Sequence, residues 1–166
     1  MGHPKKQKKK FESPTKPYDK ERIDREKKLL SFYGLRRKKE IRRAESILRN
    51  FRRRARTLQA SANATKEREL IDKLATLGVE VKSLDEILSV SLEHLMDRRL
   101  QSVVFKKGMA NSMKHSRQLI LHGHVMISGR RLSWPSYIVR SSEDGLIKVD
   151  SPTIDATPTE AKGAQQ

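Results

Sequence analysis

The sequence predicts an α+β protein with a basic N-terminal arm, a helical domain and a helix-helix-small antiparallel sheet module. Three observations support this prediction: lysines and prolines without any period at the N-terminus, apolar residues at helical spacing in the middle, and strand-like alternation near the C-terminus. The predicted boundaries are 1–18 for the arm, 19–97 for the helical domain, 98–150 for the module and 151–166 for a disordered tail. The 166 residues therefore hold two small folded parts and two extensions.

The composition is strongly basic and poor in core-forming residues. There are 37 Lys and Arg against 20 Asp and Glu, which gives a net charge of +17, and only 35% of residues are hydrophobic. Self-repulsion on this scale is relieved by a polyanion, so we expect a nucleic-acid partner. The lack of cysteine removes disulfides and thiolate metal sites, and no apolar run approaches the roughly 18 residues of a membrane span. We therefore expect a soluble intracellular protein with no metal, no cofactor and no membrane contact.

The first 18 residues form the predicted extended arm. Lysines alternate irregularly with prolines there, and Lys8, Lys9 and Lys10 end the densest basic run. Phe11 and Tyr18 give the arm aromatic groups that can stack on bases, which favours an RNA-binding arm over a merely solvated tail. Both interpretations remain open from the residues alone.

The segment Lys38–Leu58 has the clearest helical period in the chain. Its apolar stripe comprises Ile41, Ala44, Ile47, Leu48, Phe51, Ala55 and Leu58. The opposite face carries Arg42, Arg49, Arg53 and Arg56, with few carboxylates at the spacing that would pair with them. Arginine suits bidentate phosphate contact, so this face is predicted to meet phosphates, and a solvated face is the alternative.

Capping signals divide the rest of the helical domain. Asp19 is predicted to cap a first helix that ends near Gly34. Further helices are predicted over 65–77, at a short turn opened by the Ser83 and Glu86 capping box, and from Ser91 to Lys107. The mixed charges of the 65–77 helix indicate a scaffolding role.

The C-terminal third switches from a helical to a strand period. Ser112 is predicted to begin a helix that Gly123 ends, and strands are predicted over 124–127, 137–139 and 146–149, with Ser128-Gly129 as a two-residue turn. Residues 98–140 carry nine basic groups and no carboxylate. A phosphate-binding surface needs such a separation of charge.

The run RRLQSVVFKKGMANSMKHSRQLILHGHVMISGRRLSWPSYIV, residues 98–139, closely resembles the RNA-binding module of the small-subunit ribosomal protein four family. The matching residues are Arg99, Leu100, Gly108, Ser112, Arg117, Gln118, Leu119, His122, Gly123, His124, Gly129, Arg130, Pro135, Ser136 and Tyr137. Residues 2–45 look like the archaeal form of the same family, so the resemblance covers nearly all of 1–150. Three departures stand out: the N-terminal cysteine cluster of some relatives is missing, the usual Asp is Gln101, and the usual Arg is Met113.

The resemblance implies a non-enzymatic structural protein of the cytoplasmic ribosome. It implies primary binding to small-subunit ribosomal RNA early in assembly of the subunit body, and a position near the channel through which messenger RNA enters. It further implies neighbouring ribosomal proteins, including protein five, a contact with messenger RNA at that channel and a role in translational accuracy.

Residue chemistry and resemblance together give the candidate RNA-binding set. It comprises Lys8, Lys9, Lys10, Arg42, Arg49, Arg53, Arg56, Arg98, Arg99, Lys114, His115, Arg117, Gln118, His122, His124, Arg130 and Arg131. His122 and His124 can stack on a base or donate to phosphate, although His122 can equally cap its helix. Trp134 can stack on a base, but beside Pro135 a packing role is the favoured prediction, and Arg130 and Arg131 can be merely solvated.

Two other functions compete with the ribosomal one. Similar modules are attached to RNA-modifying enzymes, but residues 19–97 contain no glycine-rich phosphate loop and no paired-carboxylate pocket. A related assembly factor that processes pre-ribosomal RNA is the second alternative. The basic arm and the archaeal-like front favour a resident of the mature subunit.

Overall fold

The computed structural model describes residues 9–61 and 63–150. The helices are α1 Lys20–Phe32, α2 Lys38–Ser61, α3 Ala64–Thr76, α4 Leu84–Ser89, α5 Leu92–Asp97, α6 Leu100–Lys106 and α7 Met113–Leu121. The strands are β1 Val125–Ile127, β2 Arg130–Arg131 and β3 Ile147–Val149, and a 3-10 helix spans Ser141–Leu146. The predicted α+β fold is confirmed. Lys8 and the predicted tail, residues 151–166, lie outside the described residues.

The first helix begins and ends at the predicted signals. The Asp19 carboxylate accepts a hydrogen bond from the Arg22 backbone N–H at 3.5 Å, which satisfies one of the free donors of the first turn. After the last turn Gly34 adopts φ +55°, a left-handed conformation that few residues other than glycine tolerate. The chain then turns back into α2.

The long helix α2 organises the helical part of the chain. Its residues Ile41, Leu48 and Ala55 are buried, as the seven-residue spacing of one helical face requires. Around it α3, α4 and α5, together with the segments that connect them, contribute the remaining core side chains. The cluster comprises Leu48, Ala55, Leu70, Leu74, Val79, Val81, Ile87, Val90 and Leu95. Because α2 packs against α1 as well, only part of its arginine face reaches solvent.

The predicted single helix from Ser91 to Lys107 is wrong, because the chain forms two helices, α5 and α6. The Leu100 N–H donates to Tyr137 O at 2.7 Å, and the Val139 N–H donates to Arg98 O at 2.9 Å. These bonds hold residues 98–100 against residues 137–139 in a single antiparallel bridge between Arg99 and Ile138. A distant segment therefore takes the backbone groups that a continuous helix would use. The predicted strand over 137–139 is limited to this bridge.

The C-terminal part has its own apolar core beneath a three-stranded sheet. The sheet has the order β2-β1-β3, and both pairings are antiparallel. The predicted two-residue turn is confirmed, since Ser128 and Gly129 have φ of 50° and 78°, the signs of a type I′ hairpin. The core comprises Leu100, Val103, Val104, Ala110, Leu119, Ile120, Val125, Ile127, Val139 and Ile147. This core fixes the direction in which α7 and the hairpin present their polar residues.

Candidate nucleic-acid interface

The C-terminal half of α2 presents arginines to solvent. Arg53, Arg54 and Arg56 are exposed and form no ion pair within the described residues. Arg53 and Arg54 line a cleft of about 510 Å³ with Lys66 and Lys73 of α3, where Glu69 supplies the single carboxylate. Arg53 and Arg56, predicted from the helical wheel, are thus placed where a phosphate backbone can reach them. Their contact with RNA stays a prediction.

The first half of α2 uses its arginines differently. Arg42 is half-buried, with its Nε 3.8 Å from Glu26 of α1. Glu26 is only 3% exposed and also receives Arg22 at 2.9 Å and Lys38 at 3.5 Å. Arg49 pairs with Glu12 of the arm. Two of the arginines predicted to bind phosphates, Arg42 and Arg49, are therefore already near carboxylates of the protein itself.

The arm itself follows α2 over the residues that the structure describes. The Glu12 backbone N–H donates to the Ser46 hydroxyl at 3.2 Å, and Arg22 donates to the carbonyl oxygens of Lys16 and Pro17. Lys9 and Lys10 remain exposed. The arm thus leaves its lysines available for an anionic partner while its backbone is bound to α1 and α2.

One face of α7 carries most of the predicted polar set of the module. The Ser112 hydroxyl accepts from the His115 N–H at 3.1 Å and caps the helix. Lys114 and Gln118, four residues apart, lie exposed on the same face. His115 is half-buried, and its Nδ1 accepts from the Asn111 N–H at 3.3 Å. The free N–H groups at this helix start add a partial positive charge to that of Lys114.

The histidines and the hairpin tip lie at the other end of α7. The rings of His122 and His124 are 6.3 Å apart between centroids, and His122 is exposed. His124 Nδ1 lies 3.2 Å from the carbonyl oxygen of Asp150. Arg130 and Arg131 are exposed, and Arg131 is 3.6 Å from the equally exposed Asp150 carboxylate, a pair worth little in water. Within residues 9–61 and 63–150, no group of three His, Asp or Glu side chains is placed to hold a metal.

Arg98 lies inside the junction between the two folded parts. Its guanidinium forms a two-pronged pair with Asp144, at 2.9 and 3.0 Å, and also donates to the carbonyl oxygens of Leu77 and Val139. Gly78 is needed beside it, because a Cβ there would lie 2.4 Å from the Arg98 guanidinium. Arg98 therefore joins the end of α3 to the end of the module.

Arg99 and Arg117 share one carboxylate at the same junction. Arg99 is 6% exposed and donates to Glu40 of α2 at 2.6 Å, and Arg117 of α7 lies 3.6 Å from the same oxygen. Burial lowers the pKa of Arg99, and the charge of Glu40 opposes that shift. Arg99 Nε and one terminal nitrogen of Arg117 are buried without a hydrogen-bond partner among the described residues. Whether Arg98, Arg99 and Arg117 also contact RNA stays a prediction.

Comparisons with known proteins agree with this architecture. The family described as "S4 domain" matches residues 98–150. Small ribosomal subunit protein uS4 of Saccharolobus islandicus (strain L.S.2.15 / Lassen #1) is 48% identical over 153 residues, which cover 89% of this chain and 84% of the relative. The protein of the same name from Ignicoccus hospitalis is 47% identical over 152 residues, covering 89% of this chain and 92% of the relative. The chain belongs to the uS4 family. The resemblance drawn from its residues is thereby confirmed.

The two departures of this uS4 chain within the module meet in space. The Gln101 side chain is buried, and its amide nitrogen donates to Met113 O at 2.8 Å and to Tyr33 O at 3.1 Å. Met113 packs beside Gly34 in the small core that Tyr33, Ile41 and Met96 form. At the two positions where the resemblance implies Asp and Arg, the chain thus has neutral residues that lie where α1, α6 and α7 meet. Since an amide nitrogen can only donate, it suits the carbonyl oxygens around it.

A second basic cleft was missed by the sequence analysis. It is lined by Arg36 and Arg37, just before α2, by Lys39 and Arg43 in the first turns of α2, and by Lys10 and Arg117. The signal for this cleft in the sequence was the dense basic run from Arg36 to Lys39. The helical period of Lys38–Leu58 did not select that run, so it was left out of the candidate set. Trp134 lines the same cleft and is 65% exposed, so the prediction that it packs is wrong. Its neighbour Pro135 is the buried member of the pair.

Among the described helices, none is both long enough and apolar enough to cross a membrane.

Proposed function

We propose that this uS4-family chain is a structural constituent of the small ribosomal subunit that binds small-subunit ribosomal RNA directly. The observation that carries the proposal is the 48% identity to a protein named small ribosomal subunit protein uS4, which extends over 89% of this chain. The exposed arginines of α2 and the Lys114 face of α7 supply the cationic surfaces that such a role needs. The role is one of binding rather than catalysis.

The chemistry of binding follows from charge and shape. Each lysine or arginine that neutralises a phosphate releases condensed counterions, so affinity falls by about 0.7 to 0.9 log units per log unit of salt for each contact. The exposed cations lie on helices whose apolar faces are buried, which fixes their spacing. Rigid spacing of this kind favours recognition of the shape of folded RNA over its sequence.

The finer role rests on family resemblance. We propose that the chain binds early in assembly and helps to nucleate the body of the subunit. Its neighbours there would include ribosomal protein five, and its position would be near the channel through which messenger RNA enters, with a contact to messenger RNA and an influence on translational accuracy. The compartment proposed is the ribosome of the cytoplasm.

The test is salt-dependent binding of the full chain to a transcript of small-subunit ribosomal RNA. Replacing Lys114 and Arg130 together by Ala should lower the salt slope by about 1.4 to 1.8 and leave the urea midpoint unchanged, because both side chains are exposed. Lys82→Ala, an exposed lysine on a face with mixed charge, is the matched control. An unchanged slope in the double variant would remove this surface from the interface.

Sucrose-gradient fractionation separates this proposal from the assembly-factor alternative. A structural constituent is expected to sediment with mature small subunits and with translating ribosomes. Detection only in immature particles would contradict the proposal.

A further inference from the structure

The cleft between the start of α2 and the residues after the hairpin is unlike the other basic surfaces. It has a volume of about 520 Å³, within the roughly 300 to 1,000 Å³ of ligand pockets. Lys10, Arg36, Arg37, Lys39 and Arg43 line it without an ion pair among the described residues. Its one carboxylate, Glu40, is already shared between Arg99 and Arg117. The cleft is therefore left with a large excess of positive charge.

An aromatic ring stands at the side of this cleft. Trp134 is 65% exposed, and its ring stacks on no other aromatic ring of the described residues. Leu121, also 55% exposed, lines the same cleft and follows Lys114, Arg117 and Gln118 along one face of α7. The cleft is thus continuous with the surface proposed to bind RNA. A flat apolar face beside free guanidinium groups matches a base beside its phosphate.

Arg99 adds a buried positive charge to the lining of this cleft. Arg99 lines the cleft, is only 6% exposed, and keeps its Nε without a hydrogen-bond partner among the described residues. The same guanidinium is bound to Glu40, so one carboxylate serves both this arginine and Arg117 beside the cleft. A phosphate or ribose oxygen is an acceptor that this surface would attract.

We propose that the cleft binds one unpaired nucleotide of the RNA, with its base stacked on Trp134 and its phosphates held by the arginines at the start of α2. The proposal rests on the proposed function and specifies one contact within it. Bases in loops and bulges of RNA are commonly splayed out onto aromatic side chains in this way. Trp134 is then an RNA-contacting residue, and the run from Arg36 to Arg43 supplies the phosphate contacts beside it.

The chain offers a direct probe, because Trp134 is its only tryptophan. Titration of the full chain with a small-subunit ribosomal RNA transcript should quench the tryptophan fluorescence and protect the ring from acrylamide. Trp134→Ala should weaken binding about 5-fold to 150-fold, the range expected for loss of one stacked base. Its salt slope should stay unchanged, since stacking releases no counterions. Trp134→Phe should retain most of the affinity.

Two further variants sharpen the test. Phe32→Ala removes another exposed aromatic ring, 70% exposed and outside the cleft, and should bind like the unaltered chain. Arg37→Ala with Arg43→Ala should lower the salt slope by about 1.4 to 1.8. The opposite pattern in Trp134→Ala, a changed slope at unchanged affinity, would contradict stacking.

Failure of this inference is distinguishable from failure of the proposed function. If the chain binds the transcript but its fluorescence is unquenched and Trp134→Ala binds equally well, the stacking site is overturned and the function stands. If protection of Trp134 appears only in complete subunits, a protein neighbour covers the ring and the inference is likewise overturned. If the chain does not bind the transcript at all, the proposed function fails first.

Discussion

The arginines of the junction are paired with carboxylates, whereas the exposed arginines of the C-terminal half of α2 form no ion pair within the described residues. Arg98 and Arg99 form ion pairs with Asp144 and Glu40, whereas Arg53 forms no ion pair within the described residues. The two groups have the same side chain and come from equally basic stretches of sequence. What separates them is whether another element brings an acceptor to them. In the module, the net charge of the sequence therefore overestimates the positive charge that is free to bind RNA. On α2 the net charge is a better guide to the free positive charge.

The junction illustrates how a stretch without carboxylates is neutralised. Residues 98–140 contain no Asp or Glu, so the acceptors come from Glu40 of α2 and from Asp144. Such pairs determine the relative position of the elements more than they stabilise the fold. The free energy of removing the two charges from water offsets much of the attraction between them. The consequence is that the two folded parts are held in one relative arrangement by polar contacts.

Removing the shared carboxylate is the strongest test of this difference. Glu40→Gln leaves Arg99 and Arg117, whose side chains are 7% and 21% exposed, without a counter-ion. We expect the free energy of unfolding to fall by about 3 to 5 kcal/mol, measured by urea denaturation. The control Glu80→Gln, at an exposed position, should change it by less than about 0.5 kcal/mol. Equal effects of the two variants would show that the junction is no different from the surface.

The neutral pair at the junction gives a second test. Gln101→Asp puts a buried carboxylate against the carbonyl oxygens of Tyr33 and Met113 and should cost about 3 kcal/mol. Adding Met113→Arg supplies the arginine that the resemblance implies beside that carboxylate and should recover about 1 kcal/mol or more of that loss. The measurement is a double-mutant cycle in urea, with Met113→Arg alone as the fourth corner. Simple additivity of the two changes would refute the coupling.

The exposed arginines in the C-terminal half of α2 should contribute to RNA binding rather than to stability. Arg53→Ala with Arg56→Ala is expected to change the free energy of unfolding by less than about 1 kcal/mol, because both side chains are exposed. The salt slope for binding a small-subunit ribosomal RNA transcript should fall by about 1.4 to 1.8. A large loss of stability without a change of the salt slope would show that Arg53 and Arg56 have a structural role, as the arginines of the junction do.

Glu45 gives the smallest expected effect. Burial raises its pKa, the charge of Glu26 raises it further, and Arg49, Arg42 and Arg22 oppose the shift. A carboxyl whose pKa is higher in the folded than in the unfolded state favours folding below its unfolded pKa, and that contribution is lost as the pH rises through the raised value. Glu45→Gln should therefore be slightly more stable than the unaltered chain at pH 7.

The comparison of thermal unfolding at pH 7 and pH 4 checks this sign. The gain from Glu45→Gln should disappear near pH 4, where the native side chain is itself becoming protonated. A variant that is less stable at pH 7 would show that the pairs of Glu45 with its arginines outweigh its burial.

The sequence predicted helices and turns well where the backbone hydrogen bonds are made by residues close in the chain. Asp19, Ser112 and the Ser128-Gly129 turn act within a few residues of themselves, so their roles are visible in the sequence. The apolar stripe of α2 is equally local, because the helical period alone sets its buried face.

The break between α5 and α6 could not be predicted in this way. The apolar period runs on through Leu95, Met96, Leu100 and Val103, and nothing near Arg98 stops a helix. The cause is the distant segment at 137–139, which takes the Arg98 carbonyl and the Leu100 N–H. The partners of the arginines were hidden for the same reason. Trp134 was misjudged because its neighbour Pro135 fills the buried position.

The bridge between residues 98–100 and 137–139 also sets an order of events during synthesis. Glu40 and Leu77 leave the exit tunnel well before the segment that closes the junction, since Val139 and Asp144 follow Leu77 by more than 60 residues. Until then Arg98 has neither its carboxylate nor one of its carbonyl acceptors. Arg98 therefore faces solvent until residues 137–144 are made, and the bridge at Ile138 together with Asp144 of the 3-10 helix then withdraws it from solvent.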